Sequence, residues 1–437
     1  MIRPYNEQGH LLIGGVDAVS LAKEYGTPLF VYDVERIREN ARAFVNTFKE
    51  RGVKAQVAYA SKAFSSVAML QVAKQEELSL DVVSQGELHT AIKAGFPLDK
   101  VHLHGNNKSV EELEMAVSKG IGCIVIDNFY EIELLSAILE EQEKEVDVLL
   151  RVTPGIEAHT HDYILTGQED SKFGFDLTSG QAEEAFKRLA LESRINLIGL
   201  HCHIGSQIFE TSGFILAAKK LFTSLEEWRE SFGFTASVLN LGGGFGIRYT
   251  EEDDPLGLNA YAEALIDEVS ARSEEYDYPV PEIWIEPGRA IVGDAAVTLY
   301  SIGSIKNIPG VRKYVSVDGG MTDNLRPALY RAKYEALAAN KMTSPLTEKV
   351  SIAGKCCESG DMLIWDVEVP EINPNDILAV LSTGAYGYSM SNNYNRFPKA
   401  AVVFVEKGEH QLVIERESHE DLTRLDRSYK IGEESIK

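Results

Sequence analysis

At 437 residues the chain exceeds one ordinary domain, and two or three are predicted. Its 44% hydrophobic and 25% charged residues belong to the soluble globular class, and no run of about 18 apolar residues offers a membrane helix. The formal charge of −24 argues against nucleic acid or an anionic membrane surface as the main partner, and four cysteines, two adjacent, suit a reducing cytoplasm better than a disulfide scaffold.

The opening "MIRPYNEQGHLLIGG" lacks the basic and apolar regions of a signal peptide. "HLLIGG" and "TPLFVYD" read as early strands that belong with the β-rich segment at the far end of the chain. Eight short apolar, β-branched runs follow, namely "AQVAYA", "LSLDVVS", "KVHLHG", "IGCIVID", "VDVLLRV", "NLIGLHC", "SVLNLGG" and "EIWIEPG". Nearly continuous apolar runs suit strands buried on both faces of a parallel sheet. Between them, segments such as "SVEELEMAVSKG" and "FYEIELLSAILEEQ" repeat apolar residues at three and four, the helical period. Eight strand–helix units predict a (β/α)8 barrel, with a doubly wound open sheet as the alternative, because a strand count does not show closure.

Polar and glycine residues gather where these strands end, at the rim that carries active sites in barrels. Lys62 follows the first strand, Ser84 the second, and His104 the third; Asp127, Arg151 and His203 follow in turn. The glycines Gly242, Gly243 and Gly244 follow the seventh, and Glu286, Gly288 and Arg289 the eighth. Beyond about residue 295, runs such as "KYVSVDGG", "MLIWDVEVP" and "AAVVFVEKGE" read as strands with turn-rich links, predicting a mainly β second domain. The C-terminal "RSYKIGEESIK" reads as a frayed polar end.

The rim residues suggest chemistry. A glycine run lets backbone N–H groups approach an anion such as phosphate, or simply makes a tight turn. Ser206 adds a hydroxyl and Arg289 a cation. Glu286, on an apolar strand, requires a partner: either Arg289 three residues later or the ring nitrogen of pyridoxal phosphate, where a carboxylate keeps the ring protonated and electron-accepting. His203 is placed to stack on such a ring or to be a hydrogen-bonded core histidine. Lys62 is then either a solvated charge or a Schiff-base nucleophile whose pKa burial would lower.

Seven motifs occur in order: "YASKAF", "HCHIGSQ", "LGGGFG", "EPGRA", "DNLRPALY", "CCESGD" and "GAYGYSMSNNYNRFPK". Together with "RVTPGIEAHTHDYILTGQEDSKFGFDL" they resemble the diaminopimelate decarboxylases, pyridoxal-phosphate enzymes with an alanine-racemase-like barrel. The resemblance implies a barrel over residues 36–295, with residues 1–35 and 296–437 forming a β-rich domain that contributes substrate and dimer contacts. It implies Lys62 as the Schiff-base lysine, His203 on the ring and Glu286 at its nitrogen. Ser206, Gly242, Gly243, Gly244, Gly288, Arg289 and Tyr386 would hold the cofactor. Arg289, Arg326 and Tyr330 would meet the retained carboxylate of the substrate and Glu358 its distal ammonium, with Tyr386 near both phosphate and substrate. Cys357, rather than its neighbour Cys356, would be the acid, and Arg326 would otherwise be a surface cation near Asp323.

The implied reaction is conversion of meso-2,6-diaminopimelate to L-lysine and carbon dioxide in a cytoplasmic homodimer with shared sites. A relative acting on ornithine, arginine or carboxynorspermidine, and an inactive regulatory homologue, are the alternatives. The motif arginine of "DNLRPALY" favours a substrate with a second carboxylate, for which a guanidinium provides a bidentate fork. Asp81, Asp127, His102 and His104 receive no role.

Overall fold

The computed structural model describes residues 4–156 and 171–429, so all of "EAHTHDYILTGQED" and the last eight residues of the chain lie outside the described residues. The chain forms two compact units. One comprises Met1–Tyr32, Val297–Leu381 and Met390–Lys437, and the other Asp33–Ala296 and Ser382–Ser389.

The second of these is the predicted barrel. Its strands are β1 (Ala55–Ala60), β2 (Ser79–Val82), β3 (Val101–Leu103), β4 (Cys123–Ile126), β5 (Val146–Thr153), β6 (Ile195–His201), β7 (Val238–Asn240) and β8 (Glu282–Ile285). Each pairs in parallel with the next, and β8 returns to β1 with Ile283 opposite Ala55 and Ile285 opposite Val57. That last pairing closes the sheet and excludes the doubly wound alternative.

Local chemistry explains the helices. Asp33 caps the helix Val34–Glu50, Ser66 caps Val67–Gln75, Ser84 caps Gln85–Ala94 and Asn128 caps Phe129–Gln142, each side chain accepting a backbone N–H of the first turn. Ser109 and Glu112 form a reciprocal capping box on Val110–Lys119. In Val34–Glu50 the residues Ile37, Ala41, Phe44 and Phe48 recur at four, three and four, and all are buried. Phe44, Phe214 and Tyr261 converge on the ring of Phe245, with centroids 5.0–5.3 Å away. Burial of each such side chain contributes about 2–3 kcal/mol, so these contacts pin three outer helices to the loop after β7.

The interior of the barrel is partly polar. Arg151, His201 and Asn240 stand side by side in register on β5, β6 and β7. His102 stacks on Trp284 at 4.2 Å and nearly parallel, with its Nε2 3.2 Å from Gln56 Oε1.

In the other unit, a sheet runs in the order Met362–Val369, Glu348–Ala353, Arg312–Val317, Ala296–Ile308, Leu29–Asp33, Ala401–Glu406 and Glu409–Ile414. Ile377–Val380 also pairs with Ala296–Ile308. "TPLFVYD" thus joins the late strands, as its sequence suggests. The fold is the expected barrel with a second, mainly β unit. Among the described residues no helix is long and apolar enough to cross a membrane.

Candidate active site

The end of β1 turns sharply through Ser61–Ala63, which carries Lys62. Tyr59 Oη donates to the Phe64 carbonyl at 2.8 Å. On the other side, the Tyr386 N–H and the Ser389 hydroxyl both donate to the Ala63 carbonyl, at 2.8 and 2.9 Å. The turn is therefore held from two directions while the Lys62 side chain keeps solvent access between buried Ser61 and Ala63. Desolvation acts to lower the Lys62 pKa, but Tyr386, Asp81 and Glu286 outweigh it and the net shift is upward. Burial does act in the expected direction, but the expected net lowering is corrected: the combined attraction of Tyr386, Asp81 and Glu286 reverses it.

Glu286 is buried and lies beyond the end of β8. Asn240 Nδ2 donates to its Oε1 at 2.7 Å, His201 Nε2 lies 3.2 Å from Oε2, and His104 Nε2 lies 3.1 Å from Oε1. Arg289 instead donates to Tyr249 Oη at 2.5 Å and Ser206 Oγ at 2.9 Å, so the Glu286–Arg289 pairing is not formed. Burial acts to raise the Glu286 pKa, but the flanking His104 and His201 hold the carboxyl well below the usual range. It is a fixed anion at the floor of the rim.

His203 is half-buried, and its Nδ1 accepts the Gly243 N–H at 3.2 Å, which leaves the ring proton on Nε2. Burial, with the Lys62 charge behind it, keeps this imidazole neutral. The glycines are required by close approach. A Cβ on Gly243 would lie 2.1 Å from the Glu286 carbonyl oxygen, and one on Gly288 would lie 2.9 Å from Ala60 Cβ. Gly242 and Gly244 press equally on the Cys202 and Gly205 carbonyls. The loops after β6, β7 and β8 are thereby drawn together around Ser206 and Arg289, and the Arg289 guanidinium lies 4.9 Å from the centroid of the Tyr386 ring.

The remaining expected residues lie in the β-rich unit. Arg326 is buried and donates to Tyr334 Oη at 2.7 Å, so it is no surface cation. Tyr330 ends the same short helix, Arg326–Tyr330, and is exposed. Cys357 and Glu358 are exposed, whereas Cys356 is buried. The Cys357 N–H donates to Asn395 Oδ1 at 2.8 Å. Asp361, buried, accepts the Met321 N–H at 2.7 Å and the Cys356 N–H at 2.8 Å, tying the cysteine loop to the segment that leads into Arg326.

Sequence reasoning missed His201, Asn240, Tyr249 and Asp361, and it left Asp81 and His104 without roles. One signal was available for His201: it stands at the end of the apolar run before the rim loop that carries His203. Asn240 is a buried amide two residues before the glycine run.

The rim residues fit pyridoxal phosphate. An accessible amine, a fixed carboxylate and a serine–arginine–glycine cradle supply the partners for its aldehyde, ring nitrogen and phosphate. Asp81 Oδ1, His104 Nε2 and Arg289 Nε at this rim are among the buried polar atoms left without a hydrogen bond, as expected of a site built for a polar ligand.

Comparison with known proteins agrees. Residues 34–293 match the family described as pyridoxal-dependent decarboxylase, pyridoxal binding domain. The chain is 63% identical to the diaminopimelate decarboxylase of Bacillus subtilis over 427 residues, covering 98% of this chain and 97% of the relative. It is 65% identical to that of Bacillus methanolicus over 412 residues, covering 94% and 95%. The crystal structure of diaminopimelate decarboxylase from M. jannaschii in complex with L-lysine superposes with a TM-score of 0.92 at 34% identity, covering 97% of this chain and 98% of that one. The chain belongs to the diaminopimelate decarboxylases, within the pyridoxal-dependent decarboxylase family.

Proposed function

We propose that the chain decarboxylates meso-2,6-diaminopimelate to L-lysine with pyridoxal phosphate, and that the residues assembled above divide the work as follows. The observation that carries this reading is the accessible Lys62 amine on the same rim as an ionised Glu286 that is hydrogen-bonded by Asn240 and His201. Bound pyridoxal phosphate supplies an aldehyde for an amine and a protonated ring that accepts the electron pair left by carbon dioxide.

Lys62 presents the amine that anchors the aldehyde carbon. Glu286 holds a proton at the ring nitrogen. His203, neutral and braced by the Gly243 N–H, offers a flat face to the ring. Ser206, Gly242–Gly244, Gly288, Arg289 and Tyr386 hold the phosphate. Both Nη atoms of Arg289 serve Tyr249 and Ser206, which supports its cofactor role over its substrate role. Arg326 with Tyr330 would then grip the carboxylate that is retained, and Glu358 would counter the distal ammonium. The Cys357 thiol would return a proton to the carbon that loses carbon dioxide.

The domain assignment belongs to this proposal, with the β-rich part supplying substrate and dimer contacts. So do a homodimer with shared sites and a cytoplasmic location. The four free cysteines support a reducing compartment. Mixing inactive Lys62→Ala with impaired Cys357→Ala subunits tests the dimer: activity above the sum of the two separate preparations indicates a shared site, and no gain indicates sites complete within one chain. For the substrate, carbon dioxide release is measured from meso-diaminopimelate, ornithine, arginine and carboxynorspermidine. Preference for any of the last three would refute the substrate assignment, and no release from any would favour a regulatory homologue.

A further inference from the structure

Behind Glu286 lies a second carboxylate–imidazole pair that none of the steps above uses. Asp81, on β2, and His104, just past β3, are both buried. His104 Nε2 lies 3.7 Å from Asp81 Oδ1 and 3.1 Å from Glu286 Oε1. Neither approach has hydrogen-bond alignment, since the Nε2 atom is left without a formal partner. A single imidazole edge thus stands between two buried carboxylates and is committed to neither.

Two carboxylates at this depth cannot both remain ionised without a cation or proton between them. The charged and titratable groups around them are few. Lys62 and Arg151 attract both, Arg151 also lying 3.6 Å from Asp127, while the carboxyl of Glu87 repels Asp81. His201 reaches Glu286 Oε2 at 3.2 Å, but burial pulls its pKa down to about 4. His102 is stacked on Trp284 and pulled down to about 3. Both are neutral imidazoles at neutral pH. His104 differs: burial acts to lower its pKa, but Asp81 and Glu286 outweigh it and raise it. Burial also raises Asp81, so one proton serves the Asp81–His104 pair as a unit.

We propose that His104 is a positioning residue that takes up the proton for which Asp81 and Glu286 would otherwise compete, and so keeps Glu286 anionic toward the cofactor ring. The inference rests on the assignment of Glu286 to the ring nitrogen. Without His104, the two carboxylates share a proton, and Glu286 loses its charge for part of the time. Its hold on a protonated ring nitrogen weakens accordingly.

The test uses holoenzyme prepared with pyridoxal phosphate and follows the visible absorption of the bound cofactor, and kcat, as functions of pH. In wild type the spectrum stays constant through the neutral range. His104→Gln is expected to lower kcat about tenfold at neutral pH, the equivalent of one pKa unit at the ring nitrogen, with KM little changed. Its spectrum shifts with pH, and its kcat recovers as pH rises and the carboxylate pair loses its shared proton. Adding Asp81→Asn removes the competing carboxylate and should restore both the constant spectrum and most of kcat. A structural role alone would not be rescued by a second substitution.

A constant spectrum with unchanged kcat in His104→Gln, or no rescue in the double variant, would overturn the proposal. If His104→Gln does not fold, the ring nitrogens of His104 in wild-type holoenzyme can be read by 15N chemical shift. A ring that carries or shares the added proton at neutral pH supports the assignment, and one that is neutral and isolated overturns it. Borohydride labelling separates the two levels. A labelled Lys62 with unaffected His104 variants sinks this inference alone, whereas an unlabelled Lys62 sinks the cofactor assignment and this inference with it.

Discussion

Gly243→Ala adds one methyl group at the point where the end of β7 meets the end of β8. That carbon would lie 2.1 Å from the Glu286 carbonyl oxygen and 2.9 Å from its carbonyl carbon, where real contacts begin above 3.0 Å. One backbone must therefore retreat by about 0.9 Å, and neither neighbour is a flexible side chain. The Glu286 N–H bond to the Gly242 carbonyl, 2.8 Å long, lies directly in the path of that movement. Overpacking of this kind costs about 1–3 kcal/mol and a lost hydrogen bond about 1 kcal/mol more, roughly 2–4 kcal/mol together. At about 2 °C per kcal/mol for a domain of this size, thermal unfolding should shift down by about 4–8 °C. The same shift displaces Glu286 from Asn240, so the affinity for added pyridoxal phosphate should fall at least about tenfold, as expected when a preorganised polar contact is lost. Calorimetry of apoprotein and cofactor titration of the same preparation provide the two readouts. Gly86→Ala is the control, because its methyl meets nothing closer than Ser84 Oγ at 3.7 Å. A Gly243→Ala protein with wild-type unfolding and cofactor affinity would refute the view that the rim is set by backbone contact.

Asp323 carries a pH dependence of stability. Burial pushes its carboxyl up to about 7, with the Gly320 N–H opposing and Asp318 adding. The folded state therefore retains a proton that the unfolded chain releases near pH 3.8, so this group lowers stability as pH rises from about 4 to 7, by on the order of 4 kcal/mol. Asp323→Asn should flatten that slope in denaturant titrations at several pH values, and an unchanged slope would place the dependence elsewhere. Asp361→Asn keeps one acceptor where two backbone donors, of Met321 and Cys356, now point, and should cost about 1–3 kcal/mol of stability. Because Asp361 braces the cysteine loop, the rate of modification of Cys357 by a thiol reagent should change in that variant; an unchanged rate would show that the loop is held otherwise. Cys357→Ala should lower kcat while leaving cofactor binding intact, and unchanged kcat would move the proton donor elsewhere.

Much of the architecture was legible because a parallel barrel writes a plain pattern. Strands covered on both faces become apolar runs such as "IGCIVID", and each is followed by its cap or loop residue. Closure was not legible, because the pairing of Ile283 with Ala55 joins the two ends of the series and leaves no local trace. Lys62, His203, Glu286 and Arg289 stood out as polar residues where apolar runs stop. Asn240 and His201 did not, since a polar side chain inside a short strand looks like any satisfied core residue until its partner, Glu286, is seen across the barrel. Asp81 and His104 raised the same difficulty across β2 and β3, and their relation depends on strand register rather than on spacing. The upward shift of the Lys62 pKa was missed for a related reason. Its sign depends on how many carboxylates converge from other strands, which the stretch "ASKAF" does not reveal.

The most direct test of the central claim is the stoichiometry of products from meso-diaminopimelate with wild-type and Lys62→Ala proteins, each saturated with pyridoxal phosphate. Wild type should release one carbon dioxide for each L-lysine formed and should be labelled on Lys62 by borohydride. Lys62→Ala should release essentially none. L-Lysine formed at a comparable rate by Lys62→Ala, or no L-lysine from the wild-type holoenzyme, would contradict the account.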